Sequence, residues 1–271
     1  RSRSRPWKSS VERGQRQKRS KGKTDRDMEQ VVDHYTYIHF AARDGDADAL
    51  RRELKRGVSP NMVSPERISP LNLAASARGA SDDYLACVRL LIDAGANLSL
   101  ACQDGNLTAL MYAVGGGHST LVAALLDAGS DVNSRDRVEW TPLHFAIYSD
   151  QNNEECARLL INAGATVDAR CGQGRTPLDH CISECRRESQ GGDAATAERL
   201  RRLYPILLRA GAALPAESDD AYIRKVIAAG SFKNYERAHL NAIAAAFAAK
   251  LPLPPELVRR VVEYAFHVGD Y

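Results

Sequence analysis

Apolar positions recur along the chain in short segments of one arrangement: Ser or Thr comes first, and Pro, Leu and Ala follow it in most of the segments. The five segments are "TYIHFA" at 36–41, "SPLNLA" at 69–74, "TALMYA" at 108–113, "TPLHFA" at 141–146 and "TPLDHC" at 176–181. A Leu-rich run follows each segment and ends at a glycine: Gly57, Gly95, Gly129, Gly164 and Gly211. Because Ser or Thr caps a helix, Pro suits its first position and glycine ends it, each segment predicts two short helices.

The segments begin 33, 39, 33 and 35 residues apart. A period near 33 is typical of a stacked solenoid. With their T-P-L-H-x-A, G-H and L-L-x-x-G-A patterns, the segments resemble ankyrin repeats over about residues 34–213. The resemblance implies an all-α solenoid of five repeats with short hairpin loops along one edge. Repeats two and five hold extra residues, near "SARGASDDY" and "RRESQGGDAATAER", which predict an enlarged loop or a lengthened helix between the paired helices.

Three regions are expected: a basic N-terminal arm at 1–33, the repeats at 34–213 and a helical extension at 214–271. In the extension, "DAYIRKVIAAG" and "NYERAHLNAIAAAFAAK" predict helices. A terminal repeat needs its apolar face covered, so we expect a capping element. The final "LPLPPELVRRVVEY" resembles the C-terminal half of a SOCS box, which in some ankyrin proteins recruits elongin and cullin. It equally resembles the opening helix of an F-box, and both alternatives stay open.

Charge is concentrated at the start of the chain. Residues 1–24 carry +9, whereas the whole chain carries +3, so the remainder is acidic. Such an arm is expected to be disordered alone and to bind RNA, an acidic protein surface or import machinery, or to remain a solvated tail. The candidate arm residues are Arg1, Arg3, Arg5, Trp7, Lys8, Arg13, Arg16, Lys18, Arg19, Lys21 and Lys23.

The six scattered cysteines favour reduced thiols and an intracellular compartment, the cytoplasm or the nucleus. No run of 18 apolar residues occurs, so we expect no membrane span. The chain begins at Arg1 rather than Met, which predicts a processed chain or a fragment. If a targeting segment preceded Arg1, an organelle is the expected compartment.

His144 is a candidate for chemistry because histidine serves as a base or a metal ligand. Its counterpart in repeat one is His39, but the other repeats carry Asn72, Met111 and Asp179. The resemblance implies a structural hydrogen bond between repeats, and substitution by Met argues against a shared catalytic role.

Cys171, His180, Cys181 and Cys185 suggest a zinc cluster as an alternative. However, Cys181 occupies the core Ala position of its repeat, and Cys185 follows one helical turn later on the same face. We therefore favour small buried side chains. No catalytic constellation is present, and we expect no enzyme activity, no cofactor and no metal.

The resemblance implies a concave binding surface made from the hairpin tips and the first helix of each repeat. Its contact positions are Arg43, Asp44, Ile68, Ser76, Leu107, Trp140, Tyr148, Ser149, Arg175, Ser183 and Glu184. The expected function is a non-enzymatic scaffold or accessory subunit that binds a protein partner through this surface. The alternatives are a peripheral RNA-contacting protein of a ribosome or other ribonucleoprotein, and a substrate-recognition adaptor of a cullin-type ubiquitin ligase.

Overall fold

A computed structural model describes residues 37–64, 67–76, 82–102, 105–149, 153–248, 254, 256–258 and 260. The predicted arm at 1–33 lies outside this range, as do most of 249–271 and part of the insertion in repeat two. Contacts divide the chain into two compact units, Arg1–Pro177 and Leu178–Tyr271. The predicted domain bounds at 34–213 and 214–271 stay predictions.

The first unit is built from helix pairs. Its helices are α1 (Tyr37–Asp44), α2 (Ala47–Lys55), α3 (Pro70–Ala75), α4 (Asp82–Asp93), α5 (Ala109–Gly116), α6 (Ser119–Asp127), α7 (Pro142–Ile147) and α8 (Asn153–Asn162). The first helices α1, α3, α5 and α7 pack side by side in one row, and α2, α4, α6 and α8 form a second row against them. The described residues contain helices, turns and bends but no strand. The predicted all-α ankyrin solenoid is confirmed.

Small and branched apolar side chains fill the space between the two rows. Leu71, Leu110 and Leu143 of the first helices are each 1% exposed, and the second helices bury Leu91 and Leu125 completely. Burying one such leucine contributes about 2 kcal/mol. The buried Ala residues of the first row, Ala74, Ala113 and Ala146, let neighbouring helices approach closely.

Helix ends follow the sequence signals. The Ser69 hydroxyl accepts a hydrogen bond from the Asn72 amide at 3.1 Å, and Thr108 accepts one from Met111 at 3.4 Å. Pro70 and Pro142 occupy first helical positions. The glycines predicted to end helices adopt a left-handed backbone, with φ between 82° and 95° at Gly57, Gly95, Gly129, Gly164 and Gly211.

The second unit holds most of α9 (Pro177–Gly191), followed by α10 (Ala194–Arg201), α11 (Leu203–Arg209), α12 (Ala221–Ala228) and α13 (Phe232–Ala248). Helix α9 has 15 residues where α7 has six, so the insertion in repeat five lengthens a helix. Helices α12 and α13 pack on each other and confirm the two helices predicted in the extension. No helix in the described part of the chain is both long and apolar enough to cross a bilayer.

Candidate protein-binding surface

Four hairpin turns, named tips here, lie in the first unit, and each one precedes the first helix of the next repeat. In each tip the first residue's N–H donates to the last residue's carbonyl: Ser64 to Ile68, Cys102 to Leu107, Asp136 to Trp140 and Cys171 to Arg175. The residue before the closing position has a positive φ every time: Arg67, Asn106, Glu139 and Gly174. The described residues of the four tips therefore share this closing hydrogen bond and this positive φ even though their sequences differ.

Backbone hydrogen bonds also join neighbouring tips. Arg137 N–H of the third tip donates to Gly105 O of the second at 2.9 Å. Gly172 N–H of the fourth tip donates to Val138 O of the third at 3.0 Å. A Cβ atom at Gly172 would lie 3.2 Å from Val138 O, so glycine permits this close approach. These bonds fix the distance between successive tips in the main chain itself.

Two asparagine side chains, in the loops before the first and third tips, each form two hydrogen bonds with the backbone of the next repeat. Each such pair of hydrogen bonds is called a bracket. Asn133 Nδ2 donates to Gly164 O at 3.2 Å, and its Oδ1 accepts from Thr166 N–H at 2.8 Å. Asn61 does the same to Gly95 O and Asn97 N–H, at 3.0 and 2.6 Å. This coupling between repeats was not predicted from the sequence. In both loops the asparagine follows the helix-ending glycine at the same spacing, and this spacing was the sequence signal for the hydrogen bonds.

His144 is completely buried and both of its ring nitrogens have partners. Thr141 N–H donates to Nδ1 at 3.2 Å, and the Thr141 hydroxyl lies 2.9 Å from the same atom. Nδ1 is therefore an acceptor, and Nε2–H donates to Arg175 O of the fourth tip at 3.3 Å. In repeat two, Asn72 Nδ2 donates to Leu107 O at 3.2 Å. Both side chains donate a hydrogen bond to the carbonyl group of the last residue of a tip. His144 therefore has a structural role.

Trp140 closes the third tip and forms the aromatic centre of this surface. Its ring stacks on Tyr148 with centroids 5.0 Å apart and 15° between planes, and meets Phe145 edge-on at 5.6 Å. Both Trp140 and Tyr148 are half-buried, so each ring keeps a solvent-facing part. Of the predicted contact residues, these two are brought together from a tip and from the end of a first helix.

Asp136 fixes the backbone beneath the Trp140 ring. Its carboxylate accepts hydrogen bonds from Trp140 N–H at 2.7 Å and Val138 N–H at 2.9 Å. Burial raises the pKa of this carboxyl group, an effect that the two backbone hydrogen bonds oppose. The tip is thus held from both sides, since Asp136 N–H also donates to Trp140 O.

The remaining predicted contact residues divide by burial. Ile68, Leu107 and Ser149 are 7%, 3% and 0% exposed, so their side chains belong to the core and are withdrawn from the surface. The exposed members are Arg43, Asp44, Arg175 and Ser183, and the half-buried ones besides the aromatic pair are Ser76 and Glu184.

Several of these polar residues have local partners. Arg43 and Asp44 pair with each other at 2.7 Å. Glu184 pairs with Arg187, and the Ser183 hydroxyl donates to Asp179 O. The sequence prediction overlooked Arg137 and Val138, which are exposed on the third tip. Their place in the turn, three and two residues before Trp140, was the available signal.

Two of the cysteines considered as zinc ligands are buried and act as hydrogen-bond donors. Cys181 Sγ donates to Leu200 O at 3.2 Å, and Cys185 Sγ lies 3.6 Å from Ala197 O. Burial raises the pKa of the Cys181 thiol well above its ordinary value. A buried, protonated thiol of this kind packs as a small apolar group.

Comparison with known proteins agrees with this geometry. The family model described as ankyrin repeats (3 copies) matches residues 38–136 and 117–189, which together cover more than half of the chain. The chain belongs to the ankyrin-repeat family. Proteins of this family act through protein–protein interaction. The paired helices and the tips described above form the repeat unit of the family.

Similar ankyrin-repeat proteins include "Putative E3 ubiquitin-protein ligase XBAT31" of Arabidopsis thaliana, 31% identical over 51% of this chain and 31% of that protein. Ankyrin repeat and SOCS box protein 16 of Homo sapiens is 27% identical over 52% of this chain and 39% of its own length. SH3 and multiple ankyrin repeat domains protein 1 of Homo sapiens is 34% identical over 44% of this chain and 5% of its own length. The chain thus spans less than two fifths of each of these relatives.

Proposed function

We propose that the chain is a non-enzymatic scaffold or accessory subunit that binds a segment of a protein partner across the third and fourth tips. The observation that carries this proposal is the Trp140–Tyr148 stack, half-buried and placed where a tip meets a first helix. Trp and Tyr contribute most often to the few positions that dominate binding energy.

The stack is held rigidly before any partner arrives. Asp136 fixes the Trp140 backbone, while Phe145 and Tyr148 restrict its ring. A pre-ordered aromatic side chain loses little conformational entropy on binding, so its contact area contributes more to affinity. Exposed Arg137 of the same tip and exposed Arg175 of the fourth tip offer the polar groups that an interface rim uses for orientation.

The test compares the two tryptophans of the chain, because Trp140 lies on this surface and Trp7 lies in the basic arm. Full-length wild-type, Trp140→Ala, Arg175→Glu and Trp7→Ala chains are used as baits in affinity purification. A partner of the tips is retained by Trp7→Ala and lost by Trp140→Ala, with affinity weakened by about 2 kcal/mol or more. Arg175→Glu leaves the aromatic stack intact and should also weaken the complex.

Circular dichroism and thermal melting of each bait control for folding. Partners that bind all four baits equally would refute this surface. Partners lost only by Trp7→Ala, or by deleting residues 1–24, would assign binding to the arm. Steep salt dependence and sensitivity to ribonuclease would then identify an RNA contact.

A second candidate function, an adaptor of a cullin-type ubiquitin ligase, is favoured by the pattern "LPLPPELVRRVVEY" and by the names of two relatives. Within this pattern Leu257 is 49% exposed and Val258 is buried. Co-purification with elongin or with the F-box partner Skp, abolished by Leu257→Glu, would support the adaptor. Absence of both proteins from wild-type complexes would remove it.

A further inference from the structure

The C-terminal part of the lengthened helix α9 contains the charged sequence Arg186-Arg187-Glu188-Ser189. The chain has four Arg-Arg pairs, at 51–52, 186–187, 201–202 and 259–260. Only the pair at 186–187 is followed, two residues after its second arginine, by Ser or Thr; the pair at 51–52 is followed by Leu54. Two arginines at the third and second positions before a serine are the charge pattern that basophilic protein kinases select. We propose that Ser189 is a phosphorylation site for such a kinase and that Arg201 binds the phosphate.

Accessibility supports this site. Within 186–192 every residue is exposed except Glu188, which is half-buried. The last fully buried side chain of α9 is Cys185, one turn before Ser189, and Gly191-Gly192 follow. Kinases bind their substrates as extended chain, and unwinding the end of α9 removes no buried apolar side chain from the core. Such terminal openings have low free energies.

A cation already lies beside the hydroxyl group. Arg201 of α10 donates from Nη2 to Ser189 Oγ at 3.0 Å, while the hydroxyl donates to Cys185 O at 2.7 Å. Arg201 is otherwise paired only loosely, with Glu198 at 3.5 Å, and its side chain is 42% exposed. A phosphate carries about −1.5 to −2 charges and forms stronger hydrogen bonds with a guanidinium group than a neutral hydroxyl does.

The other charges around Ser189 are balanced among themselves. Arg187 pairs with Glu184 and Glu188, and Arg186 pairs with Asp219. Glu188 Oε2 accepts from Asp193 N–H, which places this carboxylate at the start of α10. Because the end of a helix disfavours added negative charge, the phosphate depends on Arg201 for its stabilisation. Phosphorylation therefore transfers Arg201 from Glu198 to the phosphate and ties the end of α9 to α10.

In the reaction, Ser189 Oγ attacks the γ-phosphorus of ATP while its proton passes to the catalytic base of the kinase. A new O–P bond forms, the bond to the leaving ADP breaks, and phosphoserine and ADP are the products. The kinase and ATP are both supplied from outside the chain.

The first test incubates the full chain with ATP and the catalytic subunit of cAMP-dependent protein kinase, and maps modified residues by peptide mass spectrometry. Ser189 should gain one phosphoryl group. The double variant Arg186→Gln/Arg187→Gln should lower its rate about tenfold or more, since each arginine offers the kinase charge-assisted hydrogen bonds. The matched variant Arg51→Gln/Arg52→Gln should leave the rate unchanged. An unmodified Ser189, or equal rates in both double variants, would overturn the site.

The second test measures amide hydrogen exchange over 186–193 before and after phosphorylation. Phosphorylation should slow exchange in the wild type and in Arg202→Gln, and should fail to slow it in Arg201→Gln. An equal slowing in all three chains would refute the role of Arg201. Neither test uses a binding partner, so its outcome is independent of the proposed interaction surface.

Discussion

His144 couples the fourth repeat to the tip that follows it. Replacing it with Ala leaves Arg175 O and Thr141 N–H without its ring nitrogens in a fully buried position. We expect a loss of about 1–3 kcal/mol in the free energy of unfolding, measured by urea denaturation. His144→Asn should lose less, because Asn72 already holds Leu107 O and the Ser69 hydroxyl in the same way. An Ala variant as stable as wild type would contradict the structural role.

The ionisation of the Asp136 carboxyl group should make the free energy of unfolding depend on pH. Burial raises its pKa above the ordinary value of 3.8, so the folded chain holds this proton more tightly than the unfolded chain does. The stabilisation is fully present below pH 3.8 and is lost as pH rises through the folded-state pKa. Asp136→Asn cannot ionise, so its free energy of unfolding should rise relative to wild type from acid to neutral pH. Paired urea titrations check this, and a constant or opposite difference would refute it.

The sequence shows which residues repeat but not which way each side chain points. Ile68 and Leu107 share the position of Trp140, yet they are buried while Trp140 keeps a solvent-facing part. The Trp140 ring rests on Tyr148, whereas repeat three has Gly115 at the position of Tyr148 and has no ring there to stack on. Such a contact depends on two positions at once, and the period alone does not specify it.

At the scale of the element, the asparagine brackets should govern how strongly neighbouring repeats are coupled. Asn133→Ala removes the hydrogen bonds to Gly164 O and Thr166 N–H. We expect a loss of about 1–2 kcal/mol, together with faster hydrogen exchange at the end of α8. Asn241→Ala, on the exposed face of α13, is the matched control and should have no effect. Unchanged exchange in the Asn133 variant would show that other contacts couple the repeats.

Helix boundaries were predictable because their signals are local. Ser69 and Thr108 cap helices within three residues of themselves, and glycine ends the second helices through its own φ. The brackets and tip bonds were harder to predict, because their acceptors and donors are backbone groups about one repeat away. Backbone groups carry no side-chain signature. From the sequence, the insertion in repeat five predicted either an enlarged loop or a lengthened helix. In the structure α9 continues to Gly191, so the insertion lengthens the helix.

Across the whole molecule all six cysteines are buried, none more than 5% exposed. Burial raises the pKa of Cys87 to about 11 and that of Cys156 to about 12. Because the thiolate is the reactive form, the native chain should react slowly with a maleimide at neutral pH. In denaturant all six thiols should react rapidly, as counted by mass spectrometry. One rapidly labelled cysteine in the native chain would contradict the buried arrangement.

The hydrogen bonds between tips have a consequence for how binding specificity evolves. Arg137 N–H to Gly105 O and Gly172 N–H to Val138 O are main-chain bonds, so they persist when tip side chains are exchanged. Only Gly172 is constrained by the close approach itself. On the proposed surface, substitutions at Arg137, Val138 or Arg175 would therefore change which partner is recognised, while the spacing between the tips stays the same. New specificities then become accessible one surface residue at a time, without a passage through misfolded intermediates.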